Sequence, residues 1–171
     1  GPETKQSEVD ALRELELRTC IVMAHNVKNP TFQGKFDIVD QLLETARAAG
    51  FTQFLLDTAV LDLVEPGPCS KAIWLIKNKY GYPAGLSPTH IVNDRWKKGR
   101  ERYGNLGFTA AKCSLATATM MMGADFFMYG VKQLEIVPAM ALVDAIIGYT
   151  QRQQRIRPKT SRTPLTSLLK A

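Results

Sequence analysis

Apolar and polar positions change period several times along the chain. Between Ser7 and Leu17, Val9, Leu12, Leu15 and Leu17 recur among charged residues, the spacing of an amphipathic helix resting on something apolar. Cys20 to Ala24 reads as a short buried strand, and Asn29-Pro30-Thr31 as a loop. Phe36 to Ala49 returns to helical spacing and is closed by Gly50 at a C-cap position. Phe54, Leu55 and Leu56 are consecutive apolar residues, as suits a parallel strand covered on both faces, and Asp57 arrives where that strand should emerge. Pro66-Gly67-Pro68 marks a turn, Ser70 to Lys79 a helix ended by Gly81, and Ala84 to Ser87 a third strand. A polar and basic loop is expected from roughly Pro88 to Leu106, then a helix from Thr109 to Met122. Ala124 to Tyr129 reads as a fourth strand, and Pro138 sits in the first turn of a helix ending near Tyr149.

Strands alternating with helices across short turns give an α/β class with parallel strands. An eight-stranded (βα)8 TIM-type barrel takes about 250 residues. A chain of 171 residues with four such strands therefore supports roughly its C-terminal half. A small open sheet is the structural alternative, although the Gly-rich phosphate loops of open-sheet nucleotide folds are absent from the sequence. The expected organisation is a partial barrel domain over 1–150 and a basic C-terminal tail over 151–171, with some apolar character at Leu165 to Leu169. A half-barrel exposes two strand edges, so a homodimer or a larger complex is expected.

Composition narrows the class. With 45% hydrophobic residues and mixed charge the chain folds rather than remaining disordered. Its longest apolar runs, such as Met120 to Met128, are broken by Gly123 and Asp125, so no membrane span is expected. The first residues lack the apolar core of a signal peptide, and Cys20, Cys69 and Cys113 are scattered; both point to a cytoplasmic protein with reduced thiols. The net charge of +6 is concentrated in Arg95–Arg102 and Arg152–Arg162. Neither cluster has the aromatic interleaving or the motif of a nucleic-acid binder, and a solvated surface accounts for them more simply.

In parallel α/β folds, polar residues just past the C-terminal strand ends point into the ligand crevice. Those positions hold His25 and Asn26, Asp57, then Ser87, Thr89 and His90, and finally Tyr129. Taken singly, each has an ordinary structural explanation: Asp57 as a turn cap, His25 as a core histidine, Tyr129 as packing. Asp62, five residues beyond Asp57, reads as a loop cap or a solvent-facing residue. Metal binding is not expected, because two histidines and three scattered cysteines give no ligand spacing. A nucleophile elbow GxSxG is also absent from the sequence.

Four stretches carry a family resemblance: IVMAHNVKNPTFQGKFDI at 21–38, FLLDTAVLDL at 54–63, KNKYGYPAGLSPTH at 77–90 and GADFFMYGVKQLEIVPAMALVDAIIG at 123–148. Through them the chain resembles the H-subunit methyltransferase family of tetrahydromethanopterin S-methyltransferase and, more distantly, the methyltetrahydrofolate:corrinoid methyltransferases. The stretches are similar to the second half of a family chain. The resemblance implies a barrel that moves a methyl group from the tertiary nitrogen of a reduced methylpterin, methyl-tetrahydromethanopterin or methyl-tetrahydrofolate, to a corrinoid (cobalamin) on a partner protein. Charge developing on that nitrogen must be met by a proton or hydrogen bonds at the transition state.

By the same resemblance Asp57 matches the strand-end aspartate that holds the pterin, and Asn26 occupies the strand-end position before it. The folate relatives end the next strand in Gly-Leu-Ser-Asn, where this chain has Gly85-Leu86-Ser87-Pro88. Proline cannot supply the asparagine's side-chain hydrogen bond, leaving His90 or Asn93 to replace it. Ser87 and Tyr129 complete the implied binding set. The corrinoid-binding pattern DxHxxG is absent from the sequence, so the corrinoid is expected on a separate protein, with the basic Arg95–Arg102 stretch as its docking surface. The competing expectation is a non-catalytic half-barrel that serves binding or assembly.

Overall fold

The computed structural model describes residues 4–153, the side chains of residues 132, 151 and 152 excepted. The basic tail expected beyond 150, including Leu165 to Leu169, lies outside the described residues except for 151–153, which continue the last helix. The described residues form an α/β structure in which four parallel strands, ordered β1-β2-β3-β4, alternate with helices. The contacts gather into two compact units. The first comprises the described residues of Gly1–Ser87 with Met122–Met128, and the second those of Pro88–Met121 with Tyr129–Ala171.

The first unit contains the whole sheet: β1 (Thr19–Met23), β2 (Gln53–Asp57), β3 (Ala84–Leu86) and β4 (Phe126–Phe127). Its helices are α1 (Gln6–Glu14), α2 (Phe32–Asp37), α3 (Val39–Ala48) and α4 (Pro66–Tyr80). The helix expected over 36–49 starts at Phe32, because Thr31 Oγ1 accepts the Gly34 N–H as an N-cap, and a turn at Ile38 splits it in two. Gly81 ends α4 in the left-handed conformation at φ 70°, as a C-terminal glycine does.

Strand register separates two sheet faces. Val22, Phe54 and Leu56 are buried with Val39, Leu42 and Leu43 of α3 and Ile73 and Ile76 of α4. Each such side chain contributes about 1.5–3 kcal/mol by leaving water. The opposite face carries Thr19, Ile21 and Met23, paired with Gln53, Leu55 and Asp57. Here the expectation that Cys20 to Ala24 forms a buried strand holds for one face of β1 only, since Ile21 is 49% exposed and Met23 37%. β3 and β4 approach closely: a Cβ on Gly85 would stand 2.2 Å from the Phe126 carbonyl oxygen, so only glycine fits there. Asp125 secures that edge, accepting from Lys77 Nζ at 2.7 Å and from the Ala84 N–H at 3.0 Å.

The second unit is helical, with α5 (Pro88–Arg95), α6 (Lys97–Met121), a 3-10 turn (Val131–Ile136) and α7 (Val137–Gln153). The loop expected over 88–106 is thus corrected to helix. Pro88 opens α5 at a position where a missing N–H costs nothing, and Ile91 and Val92 give it a buried side. Three glycines in 99–107 lower helix propensity locally, but ring contacts of Trp96 with Tyr103 and Phe108 override it. Gly104, at φ 66° and ψ −177°, breaks α6 into two helical segments. Thr89 Oγ1 donates to Gln133 Oε1 at 2.5 Å between two buried side chains. The helical window Gln133–Thr150 is long and apolar enough to cross a membrane by length and composition alone, as a core helix can also be.

Candidate functional site

Parallel strands bring the loops after β1, β2 and β3 to one end of the first unit's sheet. The Ala24 N–H donates to the Asp57 carbonyl at 2.7 Å, and the Thr58 N–H to the Gly85 carbonyl at 3.0 Å, so the ladder continues to the strand ends. Asn26, Asp57 and Ser87 all lie at this end, with Asp57 buried and the other two half-buried. Asp57 closes the row that carries Gln53 and Leu55, on the face where Ile21 and Met23 are open.

Their hydrogen bonds show how the loops are held. Asp57 Oδ1 accepts the Ala59 N–H at 2.9 Å, the turn-cap geometry, and steadies Ala59 at a φ of 54° that few residues other than glycine adopt. Asn26 Oδ1 accepts the N–H groups of Lys28 and Asn29, both at 3.1 Å, while its Nδ2 donates to the Gly34 carbonyl at 3.3 Å. The Asn26 amide thus organises the β1 loop. Asp62 is exposed and accepts the Leu63 N–H at 2.6 Å within its own loop. His25 keeps a buried Nδ1 without a hydrogen-bond partner among the described residues.

Beneath the β2 loop lies a cluster that sequence reasoning misses. Lys35 of α2, 2% exposed, donates to the Ala59 carbonyl at 2.6 Å, and its ammonium lies 3.2 Å from Glu65 Oε1. The other Glu65 oxygen accepts the N–H groups of Leu61 and Asp62, so one buried ion pair draws in the chain from 59 to 65. Cys69 Sγ is 3.3 Å from the Thr58 carbonyl, and burial pushes its thiol up to about 11. One signal in the sequence points to the lysine: Lys35 follows Phe32 by three residues, the spacing of neighbours on one side of a helix.

His90, Asn93 and Tyr129 belong to the second unit, with His90 and Asn93 half-buried on α5 and Tyr129 exposed just before the 3-10 turn. Asn93 borders a polar cleft of about 480 Å³ in that unit. Phe108, 2% exposed, lines the cleft, and the Arg100 guanidinium carbon lies 4.4 Å from its ring centroid. Lys112, 4% exposed, donates to Glu135 Oε1 on the same lining and sits 5.3 Å from the Phe108 ring. That hydrogen bond holds the Glu135 carboxyl below its ordinary range. Of this group sequence reasoning identifies only Asn93 and Arg100, because the spacing from 93 to 135 hides the enclosure. Among the described residues, no group of three or more His, Cys, Asp or Glu side chains is arranged to hold a metal.

Comparison with known proteins agrees with the resemblance seen in the sequence. The profile of the family described as "Tetrahydromethanopterin S-methyltransferase MtrH subunit" matches residues 1–159. The chain is similar to the tetrahydromethanopterin S-methyltransferase H subunit of Methanosarcina acetivorans, 29% identical over 96% of this chain and 57% of the relative. It is also similar to the corresponding protein of Methanothermobacter thermautotrophicus, at 32% identity over 84% of this chain and 50% of the relative. The Methanocaldococcus jannaschii relative of the same name is 29% identical over 90% of this chain and 54% of its own length. The chain therefore spans about half the length of the curated relatives it matches.

Proposed function

The chain belongs to the MtrH family of tetrahydromethanopterin S-methyltransferase, and on that premise we propose that its sheet end holds a reduced methylpterin for methyl transfer. The methyl acceptor in this reading is a corrinoid carried by a partner protein, within a larger methyltransferase complex. The substrate is methyl-tetrahydromethanopterin in preference to methyl-tetrahydrofolate, following the names of the relatives.

We read the sheet as part of a (βα)8 barrel. The sequential order β1-β2-β3-β4 favours that reading, since doubly wound sheets reverse their strand order at a switch point. The uncovered apolar positions Ile21 and Met23 then face the barrel interior, which in that fold is a packed core that further strands would cover. The single observation carrying the proposal is the position of Asp57: a buried carboxylate at the strand end, on that same face. Such a carboxylate can accept hydrogen bonds from the N–H groups of a pterin and oppose positive charge on the ring. It thereby holds the ring in register, while a proton from solvent on the reacting nitrogen lets that nitrogen keep the electron pair of the broken N–CH3 bond as a neutral amine. Asn26 acts on the same end by fixing the β1 loop, and Ser87, half-buried after β3, is the remaining proposed substrate contact of this unit.

The second reading, a binding or assembly module without catalysis, draws on the local hydrogen bonds that Asn26 and Asp57 already make. Calorimetric titration of the chain with methyl-tetrahydromethanopterin and methyl-tetrahydrofolate separates the two. Asp57→Asn keeps the oxygen that accepts the Ala59 N–H and removes only the charge, so folding should persist while binding weakens by at least tenfold, about 1.4 kcal/mol. Equal binding by both proteins removes Asp57 from the site, and saturable binding by neither favours the non-catalytic module.

A further inference from the structure

The polar cleft of the second unit has the features of an oxyanion receptor. Its lining carries two cations, Arg100 and Lys112, against one carboxylate, Glu135. Lys112 is already committed to Glu135, which leaves the cleft a net positive charge at Arg100. Among the described residues Arg100 has no carboxylate within ion-pair distance, and it is exposed. Its guanidinium lies over Phe108, whose ring also stacks with Trp96 at a centroid separation of 6.1 Å and an interplanar angle of 21°. A guanidinium resting on an aromatic face has lost much of its freedom, yet its N–H donors, which lie in the guanidinium plane, stay available at the edge. Asn93, Asn105 and Thr109 add neutral donors around the same space.

We propose that this cleft binds an oxyanion, a carboxylate or phosphate group of a small ligand, with Arg100 as the charged anchor and Asn93, Asn105 and Thr109 as the surrounding donors. Buried Lys112, paired with half-buried Glu135, forms part of the wall and is thereby removed from competition with Arg100 for the ligand. Carboxylate and phosphate both match the guanidinium fork, so the class of anion is set by which one the amide donors surround best. A simple basic patch lacks such an aromatic support and an enclosing wall. The proposal stands on the second unit's own residues and does not depend on pterin binding at Asp57.

The test is a titration of the full chain with inorganic phosphate and, separately, with glutarate at constant ionic strength, followed by the NMR signals of the Arg100 Nε–H and the Asn93 and Asn105 side-chain amides. Saturable shifts confined to these groups are expected with at least one anion, and the one that saturates names the class. Arg100→Gln should abolish saturation, and Arg100→Lys, which keeps the charge but loses the fork, should weaken binding at least tenfold. Arg95→Gln removes an equal charge from the end of α5, outside the cleft lining, and should leave the titration unchanged. Non-saturating shifts with both anions, or equal losses in Arg95→Gln and Arg100→Gln, would overturn the proposal in favour of diffuse charge attraction. Arg100 is exposed, so its replacement should preserve the fold, which unchanged signals of the second unit away from the cleft will verify.

Discussion

Lys35 and Lys112 are both enclosed, at 2% and 4% exposure, and each meets a glutamate, but what lies beyond the pair differs. Lys35 has a carbonyl on one side and Glu65 on the other, and Glu65 in turn accepts two backbone N–H groups. Every strong group in that cluster is satisfied by the protein itself. Lys112 instead lies beside the Phe108 ring on the lining of a cleft, and the side chain of its partner Glu135 is 29% exposed against 17% for Glu65. Burial of a lysine therefore does not assign it a role. The first pair folds a loop under a strand-end aspartate, and the second supports a surface that a ligand can reach.

The largest effect is expected where the environment is most closed. Lys35→Met removes the cation and leaves Glu65 and the Ala59 carbonyl without their partner, a loss of roughly 3–5 kcal/mol by analogy with other broken buried pairs. Denaturant midpoints at an unchanged slope measure it. A loss below about 1 kcal/mol would show the β2 loop to be held by something else, since that is the scale of an exposed pair. Replacing both partners, Lys35→Met with Glu65→Gln, should recover part of the loss, because no unpaired charge then remains.

Lys112→Met is expected to cost less, about 1–2 kcal/mol, because water can reach the abandoned Glu135 carboxylate. The comparison sharpens with pH. The Lys112 hydrogen bond lowers the Glu135 carboxyl below its ordinary value of 4.5, so the folded state binds that proton less readily than the unfolded state. The resulting stability is fully present above the ordinary glutamate range and is lost as the pH falls through 4.5 towards the depressed folded value. Unfolding free energies measured from neutral pH downwards should show this acid slope in the parent and a flatter one in Lys112→Met. An identical slope in both would detach Glu135 from Lys112.

Much of the first unit is legible in sequence because its signals are local. The apolar run Phe54–Leu56 gives β2, Gly81 ends α4, and the strand ends place Asp57 and Asn26 at one end of the sheet without any three-dimensional information. The hydrogen bonds of those two residues are only half legible. Asp57 as a turn cap follows from its residue type, whereas the donation from Asn26 to the Gly34 carbonyl depends on how the loop closes. In the second unit, glycines and charges over 97–107 imitate a loop, and the helix exists because Trp96 meets both Tyr103 and Phe108. Tertiary contact between residues up to twelve positions apart, as for Trp96 and Phe108, lies outside what propensity can register. The cleft is hidden for the same reason, since Asn93, Arg100, Lys112 and Glu135 share no spacing that marks them as a group.

The smallest perturbation uses the cysteines that report on the two lysine environments. Cys69, fully buried, lies beside the Lys35 cluster with Sγ 3.3 Å from the Thr58 carbonyl, whereas Cys113 is half-buried and donates to the Glu135 carbonyl at 3.5 Å. Burial raises the Cys69 thiol to about 11 and outweighs the opposing pull of the Lys35 charge. At pH 8 only about one Cys69 in a thousand is then thiolate, and the reagent has no path to it without opening of the loop. Iodoacetamide followed by site-resolved mass spectrometry should therefore mark Cys113 early and leave Cys69 unmodified until the chain unfolds. Cys20, also raised by burial but half-buried, provides an internal reference. Lys35→Met should accelerate alkylation of Cys69 although removal of the nearby positive charge makes its thiolate less favourable, because access rather than acidity limits the reaction. Equal labelling of Cys69 and Cys113 in the native parent would mean that the Lys35 environment opens as readily as the cleft, and the distinction between a closed clamp and an open receptor would fail.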